Sequence, residues 1–189
     1  MCIPIVHTLA DMGTLGPSIQ RAKLAKLGRY GVARATSKVE KIWDEIERVV
    51  GNLPVGPGTV RIYQDGLPVC GHEQKIVSEL AEAGSRNHRL LLSLQARGAV
   101  LMGTESPELL VEEHQLASAA FAPGRRPAPS RTLLTPVRDT LLERRDRYIA
   151  HCINLTLGPG ETGILFLGML HDVKRYLDTD ILVTHPLGR

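Results

Sequence analysis

The chain has 189 residues, 43% hydrophobic and 23% charged, and 23 Lys plus Arg against 20 Asp plus Glu leave a net charge of +3. A typical domain has ~150 residues, so this length supports one core without disulfides or a structural metal and excludes collagen-like, coiled-coil and extensively disordered classes. A surplus of +3 is too small for obligatory nucleic-acid binding through a broad basic face, and one Trp, four Tyr and two Phe offer few stacking platforms.

Ile3-Pro4-Ile5-Val6 reads as a short buried strand, with Pro4 suited to its beginning or to a sheet edge, and it ends at His7. After a turn at Gly13 to Gly16, the cations Arg21, Lys23, Lys26, Arg29 and Arg34 read as a solvated helix face. Val39, Ile42, Trp43, Ile46, Val49 and Val50 recur at helical spacing, which predicts a helix over 39–50 with Trp43 in the core. Gly56-Pro57-Gly58 then leads into a β-branched strand, Thr59 to Tyr63, that ends at Gln64-Asp65-Gly66.

Two helices, Glu73 to Glu82 and Arg86 to Arg97, precede a short strand, Ala99 to Met102, which exits into Gly103-Thr104-Glu105. Ser106-Pro107-Glu108 supplies a cap, a first-turn proline and an early acid for another helix. Residues 122–131, rich in proline and arginine, read as a flexible loop, lid or linker. Pro136 to Leu157 predicts a long helix, and Gly163 to Leu170 a buried strand exiting into His171. A helical turn over Val173 to Leu177 and a last strand, Asp180 to Thr184 before His185, close the chain.

Apolar runs alternating with helices argue for a single α/β domain over residues 1–189: three layers, with a mostly parallel sheet of about five strands covered by helices. Cys2, Cys70 and Cys152 are odd in number, far apart and without a CxxC pair, so reduced thiols and a cytoplasmic setting are expected. The apolar start lacks a preceding positive segment and is no signal peptide. No run approaches the ~18 apolar residues of a membrane span, so no membrane partner is expected.

In open parallel sheets, ligands bind outside the carboxyl ends of the strands. The expected strand exits are His7, Asp65, Glu105, His171 and His185, all side chains that bind metal or move protons. Asp65 beside Gly66 is also an ordinary turn, Glu105 also suits a helix dipole, and His185 before Pro186 suits an exposed tail. His7 and His171 each end an apolar run directly, where an imidazole needs partners.

Two chemistries fit. His7, Asp65, Glu105 and His171 can hold a divalent metal ion with an open position for water. Alternatively a histidine serves as general base, oriented by Asp65 or Glu105, with Arg145 steadying negative charge. The chain has no HExxH, GxSxG, P-loop lysine or GxGxxG motif. The expected function is a hydrolase-like enzyme acting on a small-molecule substrate. The alternatives are a binding module for an anionic small molecule or nucleotide, and an interaction protein whose 122–131 loop or Trp43-bearing helix docks a partner, a second copy of the chain being one candidate.

The segment Glu143-Arg144-Arg145-Asp146-Arg147-Tyr148-Ile149-Ala150, followed by the strand Gly163 to Leu170 and His171, resembles the closing helix and strand of the TraB and erythromycin-esterase-like superfamily. Ile5-Val6-His7 is similarly placed to the histidine after the first strand in that group. The resemblance covers about fifty residues at the end and a few at the beginning, and matches only at His7, Arg145 and His171. It implies a mixed α/β domain with a histidine-bearing pocket, used by different members for ester hydrolysis, metal-dependent proteolysis or haem-related binding. No Gly-Glu pair precedes His7, where several members place their acid; that role falls to Asp11, Asp65 or Glu105.

Overall fold

The computed structural model of the chain describes residues 1–120 and 131–187. Four strands, β1 (Cys2–Ile5), β2 (Val60–Gln64), β3 (Val100–Met102) and β4 (Thr162–Gly168), form one parallel sheet in the order β1-β4-β2-β3. The long crossovers that parallel pairing requires contain helices α1 (Gly16–Gly51), α2 (Glu73–Glu82), α3 (Arg86–Ala96), α4 (Pro107–Ala120) and α5 (Arg131–Thr156). β1 pairs only with β4, and this edge position tolerates Pro4, which has no N–H to donate.

Alternate residues of each strand face opposite sides of the sheet. On one side Ile3, Ile5, Val60, Ile62, Ile164 and Phe166 pack with Trp43, Ile46 and Val50 of α1, Val77 of α2 and Leu90, Leu91 and Leu94 of α3. On the other, Tyr63, Leu165 and Leu167 pack with Ile149, Ala150 and Ile153 of α5 and with Val173. The sheet is thus a middle layer, and α4 lies against α5.

The expected fifth strand does not form. Residues 180–184 carry no strand structure, and Cys2 N–H donates to Thr184 O at 2.8 Å beside the start of β1. Asp178 and Asp180 turn the chain there, Ile181 N–H bonding back to Asp178 O at 3.1 Å, so no run of paired backbone groups is available. The described sheet has four strands rather than about five.

α1 begins at Gly16, well before the expected Val39. It is interrupted at Gly28, whose φ of 67° and ψ of 173° suit a residue without a Cβ. A short 3₁₀ helix, Leu9–Leu15, joins β1 to α1, and the expected turn at 173–177 is a second one, Val173–Tyr176. Of the 122–131 segment only Arg131, at the start of α5, is among the described residues. Among those residues no helix is long and apolar enough to cross a membrane.

Candidate functional site

All four strands point the same way, so their exits share one rim of the sheet. The strand order sets these exits side by side as His7, His171, Asp65 and Glu105. Register tightens the arrangement: Ile5 pairs with Gly168, and Gln64 with Phe166.

Asp65 is the hub. Its Oδ2 accepts the Gly168 N–H at 2.9 Å and meets His7 Nε2 at 3.3 Å and His171 Nε2 at 3.5 Å. Its Oδ1 accepts from Arg145 Nη2 at 2.8 Å. The close approach requires Gly168, because a Cβ there would lie 2.7 Å from Asp65 Oδ2. Arg145 comes from α5 and is spent on carboxylates: Nε and Nη2 grip Glu105 at 3.0 and 2.5 Å, and Nη1 reaches Glu113 at 2.8 Å. Glu105 also accepts the Gly66 N–H at 3.2 Å.

The next residue of α5, Asp146, binds the other end of the row. Its Oδ1 lies 2.5 Å from His171 Nδ1, and its Oδ2 accepts the Asp172 N–H at 2.9 Å. His171 therefore sits between two carboxylates, one at each ring nitrogen, an arrangement that favours the imidazolium. Its pKa is raised: burial alone would lower it, but the bond to Asp146 and the charge of Asp65 outweigh burial. His7 differs. Its side chain is 34% exposed, its pKa is raised chiefly by the hydrogen bond to Asp65, and its Nδ1 has no partner among the described residues.

Burial would also raise Asp65, yet His7, His171 and Arg145 together hold it well below the usual carboxylate range. Burial, with the Asp65 charge beside it, holds Glu105 above its ordinary value despite Arg145. Asp65 thus carries the negative charge on which the imidazoles converge.

The backbone on each side of His7 is braced. Trp43 Nε1–H donates to Val6 O at 3.2 Å. On the other side, Asp11 Oδ2 accepts from Thr8 N–H at 2.6 Å and Thr8 Oγ1 at 2.8 Å, while its Oδ1 accepts from Ser85 Oγ at 2.5 Å. Ser85 caps α3 and also lies 2.7 Å from His88 Nδ1, so the loop after β1 is fastened to that helix. These bonds, with burial opposing them, hold the Asp11 carboxyl well below its usual range.

The structure brings together His7, Asp65, Glu105, Arg145 and His171. His185 instead follows Thr184 beside the start of β1, at the opposite end of the sheet. Asp146, Gly168 and Ser85 complete the site without having been named as candidates from the sequence, where Asp11 was named only as a stand-in for the superfamily's acid. The adjacency of Asp146 to Arg145 in the Arg-Asp helix was the one available signal for any of them.

Asp65, Glu105 and His171 each place one potential ligand atom within 4.8 Å of the others. Arg145 binds Asp65 Oδ1 and both Glu105 oxygens but not Asp65 Oδ2, the oxygen that faces His171 Nε2, and a guanidinium does not give up its proton. A dication there would share these carboxylates with the Arg145 guanidinium. No protein-family model matches the chain, and no curated protein or solved structure matches it either.

Proposed function

We propose that the protein is a hydrolase in which His7 is the general base and the Asp65, Arg145 and Glu105 cluster is a fixed scaffold. One observation carries this reading: His7 presents Nε2 to a buried carboxylate, is partly exposed, and has an Nδ1 that no described residue occupies. An Asp-oriented imidazole with one accessible lone pair has the form of a general base, and a pKa near the working pH serves that role best. In the proposed step His7 Nδ1 takes a proton from water as the water oxygen attacks an ester or amide carbonyl. The same proton then passes to the departing oxygen or nitrogen as its bond to carbon breaks. His171, held as imidazolium between Asp146 and Asp65, keeps the Asp65 carboxylate in place and adds positive charge beside the developing oxyanion. The likeness to the esterase-containing superfamily at His7, Arg145 and His171 supports the same reading.

A second reading has an observation of its own, the convergence of Asp65, Glu105 and His171 on a space of metal-site size. The two separate experimentally. Protein purified without chelator or affinity-tag metal is analysed for bound elements, then assayed on p-nitrophenyl acetate, p-nitrophenyl phosphate and a casein peptide. The general-base reading expects metal-free protein to turn over the ester, and His7→Ala to lower the rate by about 10²-fold or more. Turnover that needs a stoichiometric dication would select the metal reading. Turnover unchanged in both His7→Ala and His171→Ala would remove both.

A further inference from the structure

Between Met12 and Val39 the chain has six cations, Arg21, Lys23, Lys26, Arg29, Arg34 and Lys38, and no acidic residue. The overall surplus of +3 therefore hides an arm of +6 on a remainder that is net acidic. All six side chains are exposed, and no described carboxylate pairs with any of them; Arg21 bonds only to Ser18 Oγ, at 3.1 Å. Most described arginines outside this segment differ. Arg48, Arg61, Arg86, Arg144, Arg145 and Arg147 each hold a carboxylate.

These cations lie on the part of α1 that precedes its seat in the core, on both sides of the break at Gly28. A helix exposed around most of its circumference is ordinarily supported by opposite charges three or four residues apart, and like charges at that spacing weaken it. Lys23, Lys26 and Arg29 follow one another at intervals of three, and Arg34 and Lys38 at four. Such a segment gains stability when a polyanion neutralises it.

The second piece has a defined working face. Trp43, Ile46 and Val50 bury one side of it, whereas Tyr30, Arg34, Lys38 and Lys41 recur on the other side over about 16 Å at 1.5 Å per residue. Tyr30 is 82% exposed and offers a stacking surface in line with the cations. In the first piece Ile19, Ala22, Leu24, Ala25 and Leu27 fall on all sides of the helix. That pattern lacks the single apolar face with which a helix lies on a bilayer.

We infer that this arm docks on the sugar–phosphate backbone of a nucleic acid, independently of the rim that carries His7. Low net charge argued against a broad basic face; the structure instead sets six exposed cations, none paired with a described carboxylate, along one element. Four to six phosphate contacts imply a steep dependence on salt, a loss of about 10²- to 10³-fold in affinity between 50 and 200 mM.

The test titrates the full chain against a labelled 30-base-pair DNA duplex and a 30-nucleotide RNA by fluorescence anisotropy at both salt concentrations. The variant Lys26→Glu with Arg34→Glu is compared with Lys75→Glu with Lys174→Glu, a charge-matched pair exposed elsewhere. The inference expects at least ~10-fold loss for the arm variant and less than ~2-fold for the control, with circular dichroism showing both folded. If the arm variant fails to fold, Lys26→Gln with Arg34→Gln replaces it, with a smaller loss in the same direction. Absence of binding, equal loss in both variants, or binding to phosphatidylserine vesicles without binding to either nucleic acid would overturn the inference.

Discussion

Asp65 Oδ2 receives two imidazoles and an amide within 3.5 Å, and this crowding divides the work between two chemically identical side chains. His7 keeps one nitrogen open, whereas His171 has both nitrogens against carboxylates. The difference rests on Asp146, since both rings share Asp65. Asp146→Asn preserves shape and removes charge, so it tests the division directly. In an NMR titration of the ring protons, the pKa of His171 falls in this variant while that of His7 stays above 6.5. Ester turnover by the proposed mechanism drops by about 10²-fold, the lower end of general acid–base contributions. A His171 titration identical to that of the unaltered protein would assign its proton to Asp65 alone.

At the scale of elements, the site is the place where β4 lets a carboxylate of β2 approach its backbone. Gly168 has no unusual φ, so its requirement is steric: a Cβ would meet Asp65 Oδ2 at 2.7 Å and the His171 ring at 3.5 Å. Gly168→Ala therefore pushes the hub carboxylate off its amide. The expected cost is about 1–3 kcal/mol, typical of overpacking, read from the urea midpoint. It is accompanied by a lower His7 pKa as the bond to Asp65 lengthens. A variant as stable as the parent, with His7 titrating as before, would show that the strand ends have slack. The strand exits were legible in the sequence because parallel strands bury both faces and give way to polar residues, as after Ile5 at His7; β4 stops at Gly168, short of the expected Leu170, and Met169 and Leu170 are exposed in the turn before His171. The partner of His171 was not, because Arg145 and Asp146 diverge by about 100° around a helix whose placement on the sheet no local pattern encodes. The bond between Asp11 and Ser85 escaped for a related reason, since 74 residues separate the pair and only the packing of α3 beside the first crossover joins them. The β-branched tail 180–184 has strand-like composition, and its failure to pair depends on the chain turning at Asp178, a tertiary outcome.

For the whole molecule, these ionisations set how stability responds to pH. His7 and His171 have raised pKa values in the folded state, so their stabilisation is complete below the ordinary 6.5 and is lost as pH rises through the raised values. Glu105 acts in the same direction from a lower start: raised above 4.5, it favours the folded state while protonated and loses that advantage as pH climbs. Asp11 and Asp65 work oppositely. Their depressed values give stability that is present above 3.8 and lost as pH falls through the folded-state values. Together these limbs place the maximum in mildly acidic solution, between about pH 4 and 6.5. Thermal unfolding followed by circular dichroism from pH 3 to 9 should therefore show Tm peaking in that interval and declining through neutrality. The double variant His7→Gln, His171→Gln flattens the decline on the alkaline side, and Asp11→Asn lowers the whole curve while flattening the acid limb. A Tm that keeps rising beyond pH 8 in the unaltered protein would mean that Asp65 and Asp146 do not raise the imidazole pKa values on folding, and the division of labour at the rim would go with it.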